Sequence, residues 1–110
     1  MKFESDTVDN TRILTPVVRR LDAAVALPFK QQVLEEIRQG TRALILDFSR
    51  VDFIDSSCLG ALISILKSLN GGQLMLCALN SNIKSMFTLT RMDRVFTLCA
   101  DREEALRTLQ

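Results

Sequence analysis

The chain has 110 residues, 47% hydrophobic and 25% charged, with 14 basic and 13 acidic side chains and a formal net charge of +1. That length and apolar fraction predict a single globular domain over residues 1–110 with a buried core, and argue against a disordered chain. The balanced charge and the absence of histidine, tryptophan and tyrosine exclude the usual footprint of a nucleic-acid binder, the commonest general base and metal ligand, and most aromatic stacking on bases.

The N-terminal run Met1-Lys2-Phe3-Glu4-Ser5-Asp6 is polar within a few residues and lacks the apolar region of a secretory signal. A short strand near Met1 to Ser5, a turn at Asp9-Asn10 and a β-branched strand from Thr11 to Val18 follow. Pro16 places that second strand at an edge or a bulge. From Ala26 to Gln39 the spacing of Phe29, Val33 and Ile37 predicts a helix, with Pro28 in its first turn and Gly40 as its stop. Ala43 to Phe48 is a nearly continuous apolar run, the pattern of a strand covered on both faces.

A short stretch, Val51 to Ile54, leads into Asp55-Ser56-Ser57, and Leu59, Leu62, Ile63, Leu66 and Leu69 then fall at helical spacing. Asp55 or Ser56 caps that helix, and Asn70-Gly71-Gly72 ends it. Gln73 to Leu79 is a buried strand. Asn80-Ser81 caps a helix to about Leu89, with Ile83, Met86 and Phe87 inward. Val95 to Cys99 is a last strand, and Asp101 caps a final helix bearing Ala105, Leu106 and Leu109. The order β-β-α-β-α-β-α-β-α predicts an α/β domain with four helices and a mixed, mostly parallel sheet, its opening pair antiparallel. The longest uncharged apolar stretch, Cys58 to Leu66, is too short to span a bilayer, so a cytoplasmic location with no membrane contact is expected.

The chemistry concentrates at Val51 to Gly60. There a strand end feeds a turn that opens a helix, so two hydroxyls and a carboxylate meet free backbone N–H groups and the positive end of the dipole. Such a corner holds an anion or presents a modifiable serine; its plainest reading is a helix cap. Nucleophilic catalysis by Ser56 or Ser57 lacks its base and its G-x-S-x-G turn. Asp47, near a strand end, has the position of a receiver-type phosphoacceptor, but the acidic residues for a magnesium site are missing, and solvation at the strand end is the simpler account. No phosphate-binding glycine motif is present. Cys77 and Cys99 read as core. Cys58, in a first helical turn, has the position of a thiol with a lowered pKa, although Asp55 opposes this. No cysteine pair has metal-ligand spacing. The residues call for no metal and no cofactor.

The run LILDFSRVDFIDSSCLGALISILKSLNGGQLMLCAL, Leu44 to Leu79, resembles the core of the STAS family of anti-sigma factor antagonists. Leu21-Asp22 before the first helix and the segments Ile83 to Phe87 and Met92 to Phe96 extend the resemblance over most of the chain. It implies a non-enzymatic, phosphorylation-controlled partner switch. The phosphoacceptor is then Ser56, with Ser57 as second choice. Asp22, Asp55, Ser56, Ser57, Cys58 and Leu59 form the partner-binding set. The partners implied are an anti-sigma-factor-like serine kinase, which binds the unphosphorylated form, and a PP2C-like phosphatase that resets it. Lone domains of the family act in transcription, biofilm, secretion and stress control, and others sense ligands without phosphoregulation. Two departures stand out. Cys58 replaces a common glycine, and Val25 replaces a common Thr or Ser cap, which predicts a less well fixed entry to the first helix.

Overall fold

The computed structural model describes residues 1–109. Strands β1 (Phe3–Val8) and β2 (Thr11–Pro16) form an antiparallel hairpin. Helix α1 (Ala26–Arg38) follows a two-residue strand, β3 (Arg20–Leu21). Then come β4 (Ala43–Asp47), another two-residue strand β5 (Phe53–Ile54), helix α2 (Ser56–Leu69), β6 (Gln73–Cys77), α3 (Ser81–Leu89), β7 (Thr97–Cys99) and α4 (Arg102–Leu109). The main sheet has the order β1-β2-β4-β6-β7, and all its pairings after the first are parallel.

Strict alternation divides the strands between two faces. Leu14, Leu44, Leu46, Leu74 and Leu76 point into the larger core, shared with α1, α2 and α3. Ile13, Ile45, Met75, Cys77 and Cys99 point the other way, onto Ala105 of α4. Both faces are covered, which is why β4 and β6 read as unbroken apolar runs. The turn before β6 is crowded. A Cβ on Gly72 would lie 2.6 Å from the Arg42 carbonyl oxygen, which accepts the Gln73 N–H at 2.8 Å.

The structure differs from the sequence expectation in four places. Strand β2 lies inside the sheet; Pro16 is tolerated because it is the last residue of β2, beyond the β4 ladder, which ends at Leu14↔Leu46. Val95 and Phe96 are not in a strand. Arg91 adopts a left-handed conformation (φ 62°), a 3-10 turn over Met92–Arg94 follows, and Phe96 N–H donates to the Met92 carbonyl, so β7 starts only at Thr97. Asp47 is not solvated. It is 5% exposed, and its carboxylate accepts from Arg102 Nε at 2.6 Å and from the Ser49 N–H at 2.8 Å. Burial pushes the Asp47 carboxyl up, but these hydrogen bonds outweigh burial and hold it below its ordinary value. Finally, β3 and β5 pair in parallel as a separate two-stranded sheet.

Candidate functional site

That small sheet builds the site. Its register is Arg20↔Phe53 and Leu21↔Ile54. Leu21 and Ile54 are buried and anchor the pair in the core. The next residues along the two strands are Asp22 and Asp55, and the ladder carries on to them: Asp55 N–H donates to the Leu21 carbonyl at 3.4 Å. Two carboxylates thus stand side by side at the C-terminal ends of parallel strands, where α/β folds place ligand and partner sites.

Asp55 is the helix cap. Its backbone is extended, and its Oδ1 accepts from Ser57 N–H at 2.9 Å and Cys58 N–H at 3.3 Å. Its Oδ2 accepts from Ala23 N–H at 3.0 Å, 32 residues away in sequence, so the same carboxylate ties the loop before α1 to the start of α2. Asp22 organises that loop. Its Oδ1 accepts from Ala24 N–H at 3.0 Å, and its carbonyl accepts from Val25 and Ala26 N–H. Val25 makes no side-chain cap, as expected, yet Asp22 satisfies the loop's donors and fixes the entry to α1.

Because Asp55 occupies these N–H groups, the helix terminus is not an open anion cradle. The serine hydroxyls take no part in the cap, although the Ser57 N–H does: Ser56 is exposed and Ser57 half-buried. Cys58 and Leu59, expected in the partner-binding set, face the core at 0% and 7% exposure, so their side chains offer a partner almost nothing. The Cys58 thiol is not activated. Burial, reinforced by the Asp55 charge, pushes it up to about 12. Cys58 stands four residues before Leu62, seven before Ile65 and eleven before Leu69, all fully buried. That spacing was the signal for a core cysteine.

The structure adds residues with no clear sequence signal. The Arg20 guanidinium lies 4.2 Å over the Phe53 ring and its Nε is 3.5 Å from Asp22 Oδ2. Phe53 is 39% exposed. Arg19 Nε donates to Asp52 Oδ2 at 2.9 Å, and Asn80, which caps α3 through Ile83 N–H, also donates Nδ2–H to the Asp52 carbonyl at 3.0 Å. Among the described residues no three His, Cys, Asp or Glu side chains converge as a metal site, and no helix is long and apolar enough to cross a membrane.

The Asp55 geometry separates two contributions. Asp55→Ala should cost about 1–2 kcal/mol, the upper part of the range for losing an N-cap, because the Ala23 tie goes with it. In Asp55→Asn the amide oxygen still caps, but the NH2 group cannot accept from Ala23, so the cost should fall to about 0.5–1 kcal/mol. Urea unfolding of the two variants checks the order; equal costs would mean that the Ala23 bond contributes nothing.

A small α/β domain that presents an exposed serine at a helix start, directly after the carboxylate that caps the helix, is the class that fold and site define. The STAS domain family matches residues 2–105, and the chain belongs to that family. A candidate anti-sigma factor antagonist of Thermotoga maritima is 32% identical over 98% of this chain and 97% of its own length. The crystal structure of such an antagonist from that organism superposes with a TM-score of 0.90 over 97% of this chain and 93% of the other. A candidate antagonist of Bordetella bronchiseptica is 28% identical over 96% of this chain and 91% of its own. The anti-sigma factor antagonist SpoIIAA, unphosphorylated, is 21% identical with a TM-score of 0.72 over 98% and 97% of the two chains, a likeness of fold.

Proposed function

We propose that the protein is a partner-switching regulator of the anti-sigma factor antagonist type, controlled by phosphorylation of Ser56, and not an enzyme. The observation that carries this reading is the exposed Ser56 directly after the capping Asp55, beside the Asp22 loop. The relatives named as anti-sigma factor antagonists support it, as does a neighbour of the same fold, SpoIIAA, solved in a phosphorylated form. A phosphate adds about −1.5 to −2 charge at pH 7. Here the nearest backbone donors are taken by the anionic Asp55, so the added charge stays on the surface and repels. Partner loss with a preserved fold is the result. The unphosphorylated form binds an anti-sigma-factor-like serine kinase, and a PP2C-like phosphatase restores it, in the cytoplasm and in control of transcription, biofilm, secretion or stress responses.

Intact mass and phosphopeptide mapping of the protein from its native cell test the reading: one phosphoryl group on Ser56 is expected. A group found only on Ser57 moves the acceptor by one residue. A second reading, a ligand-sensing module, draws on a groove of about 300 Å³ lined by Asp52, Phe53, Ile54, Asn82, Ile83 and Met86. An unmodified protein that retains a small molecule in that groove would favour it.

Asp22→Asn should keep the fold, because the amide oxygen still accepts from Ala24 N–H, while removing one charge beside the acceptor. The expected result is an unchanged melting temperature with a change of about three- to tenfold in phosphorylation rate or partner affinity, the scale of about 1 kcal/mol. Unchanged rate and affinity would leave Asp22 as a loop-ordering acid only.

A further inference from the structure

Three of the four glycines have a reason in the backbone. Gly40 and Gly71 have positive φ (106° and 93°), and a Cβ on Gly72 would strike the Arg42 carbonyl. Gly60 has no such reason. It sits in the interior of α2 with a helical backbone, and a Cβ built on it meets nothing within 4 Å. Glycine is the least favourable helix-interior residue after proline, so the chain is less stable for it, and nothing inside the fold requires it.

What the missing side chain leaves open is the surface around Ser56. Gly60 follows Ser56 by four residues, so the two lie one turn apart on the same stripe of α2, and both are exposed. Side chains on a helix lean toward its N-terminus and cover the turn before their own Cα. A side chain at position 60 would therefore lean over Ser56 and Ser57. On its other flank it would fill the shallow groove of about 220 Å³ that Gly60 lines between α1 and α2, with Ser57, Ser64, Leu27 and Lys30. Asp55, on the N-terminal side of the serine, is held by the N–H groups of Ser57, Cys58 and Ala23. With that side fixed by the cap, approach to Ser56 depends on the side that Gly60 leaves free.

We propose, on the reading of Ser56 as acceptor, that Gly60 is a positioning residue for phosphoryl transfer: its missing side chain keeps an open approach to the Ser56 hydroxyl for a kinase active site. In the transfer, Ser56 Oγ forms a bond to the γ-phosphorus of ATP on the side away from ADP, the bond to ADP breaks, and the hydroxyl proton passes to the kinase or to solvent. That in-line path needs space at the hydroxyl for a bulky, charged donor, and a misplacement of about 1 Å can cost about a hundredfold in rate. A methyl or longer group at position 60 takes up that space.

Gly60→Ala and Gly60→Gln, both uncharged, test it in the full chain. Stability and access should move in opposite directions, which a merely structural glycine would not produce. Gly60→Ala should melt about 3–6 °C above wild type, and Gly60→Gln at or above it. In a Ser56→Cys background a fluorescein maleimide reports access directly, because Cys58, Cys77 and Cys99 are buried and wild type supplies their slow background. Labelling should slow from Gly60 to Gly60→Ala to Gly60→Gln, by about threefold or more for the last. Thiophosphoryl transfer from ATPγS to Ser56 in a lysate of the native cell, mapped by mass spectrometry, should slow by about tenfold or more in Gly60→Gln. Equal labelling across the folded variants, or a lower melting temperature in Gly60→Ala, would overturn the proposal. Equal transfer to all three proteins would overturn it while leaving Ser56 as acceptor. No transfer to wild type would remove Ser56 as acceptor and the role of Gly60 with it.

Discussion

Ser56→Asp should abolish binding of the proposed kinase-like partner, while Ser56→Ala should retain it. Asp55 supplies the helix cap, so neither substitution removes one. Asp at the first helical position gains about 0.3–1 kcal/mol from the dipole, and repulsion from Asp55 and Asp22 takes part of that back. Both variants should therefore unfold within about 1 kcal/mol of wild type, small against a typical stability of about 5–15 kcal/mol. Binding responds differently, because a carboxylate desolvated at an interface without a partner costs several kcal/mol. At about 1.4 kcal/mol per tenfold, the Asp variant should bind at least about a hundredfold more weakly. Calorimetry with the partner decides it. Equal binding by both folded variants removes the phosphoswitch and favours the ligand-sensing reading.

The second large effect lies on the opposite side of the sheet. Arg102 opens α4 and reaches Asp47 on β4 and Thr15 on β2, donating at 2.6 and 2.8 Å, with Asp6 of β1 4.0 Å away. One guanidinium thus joins α4 to three strands. Arg102→Met keeps the apolar stem and leaves a nearly buried Asp47 carboxylate without its cation, which should cost about 3 kcal/mol, the lower end of the range because Arg102 itself is partly exposed. The pH dependence follows. In the wild type the Asp47 carboxyl is held low, so its contribution is present above the unfolded value of about 3.9 and is lost as pH falls through the lower folded value. In the variant burial dominates and the folded value rises, so the penalty is felt at neutral pH and relieved on protonation. The gap between the two proteins should narrow below about pH 4. A constant gap across urea titrations from pH 3 to 7 would mean that Asp47 charge plays no part.

Local patterns carried much of this structure. Asp55, Asn80 and Asp101 cap their helices where Asp and Asn precede apolar periodicity, and alternation of Leu with Ile in β4, and of Leu with Met and Cys in β6, gave the two faces. The inward face of α2 was less legible. Ile63 and Leu66 are only partly buried, while Cys58, Ala61 and Ile65 take the core positions, because small side chains carry little weight in a hydrophobic pattern. Long-range pairings left no trace. A strand of two residues has no period to detect, so Arg20-Leu21 and Phe53-Ile54 could not be matched across the sequence. The pairs Asp47–Arg102 and Asp55–Ala23 are contacts of single residues 55 and 32 positions apart. The proposal of Ser56 as acceptor rests on the resemblance; the double role of Asp55 depends on a contact 32 residues away in sequence.

The separateness of the β3–β5 pair governs where strain from a new charge can go. Its few hydrogen bonds, Asp52 and Phe53 N–H to the Arg19 carbonyl and Asp55 N–H to the Leu21 carbonyl, belong to no ladder of the five-stranded sheet. Proteins open in cooperative units whose free energies differ, and the units with few contacts open first. A two-rung ribbon, with only Leu21 and Ile54 rooted in the core, is such a unit. It should open while β4 and β6 stay closed, so a charge added at the start of α2 would disturb only a handful of backbone bonds. The edge that carries the Asp22–Asp55 corner should therefore exchange its amide protons before the five-stranded frame does, and a change of charge there should cost far less than unfolding.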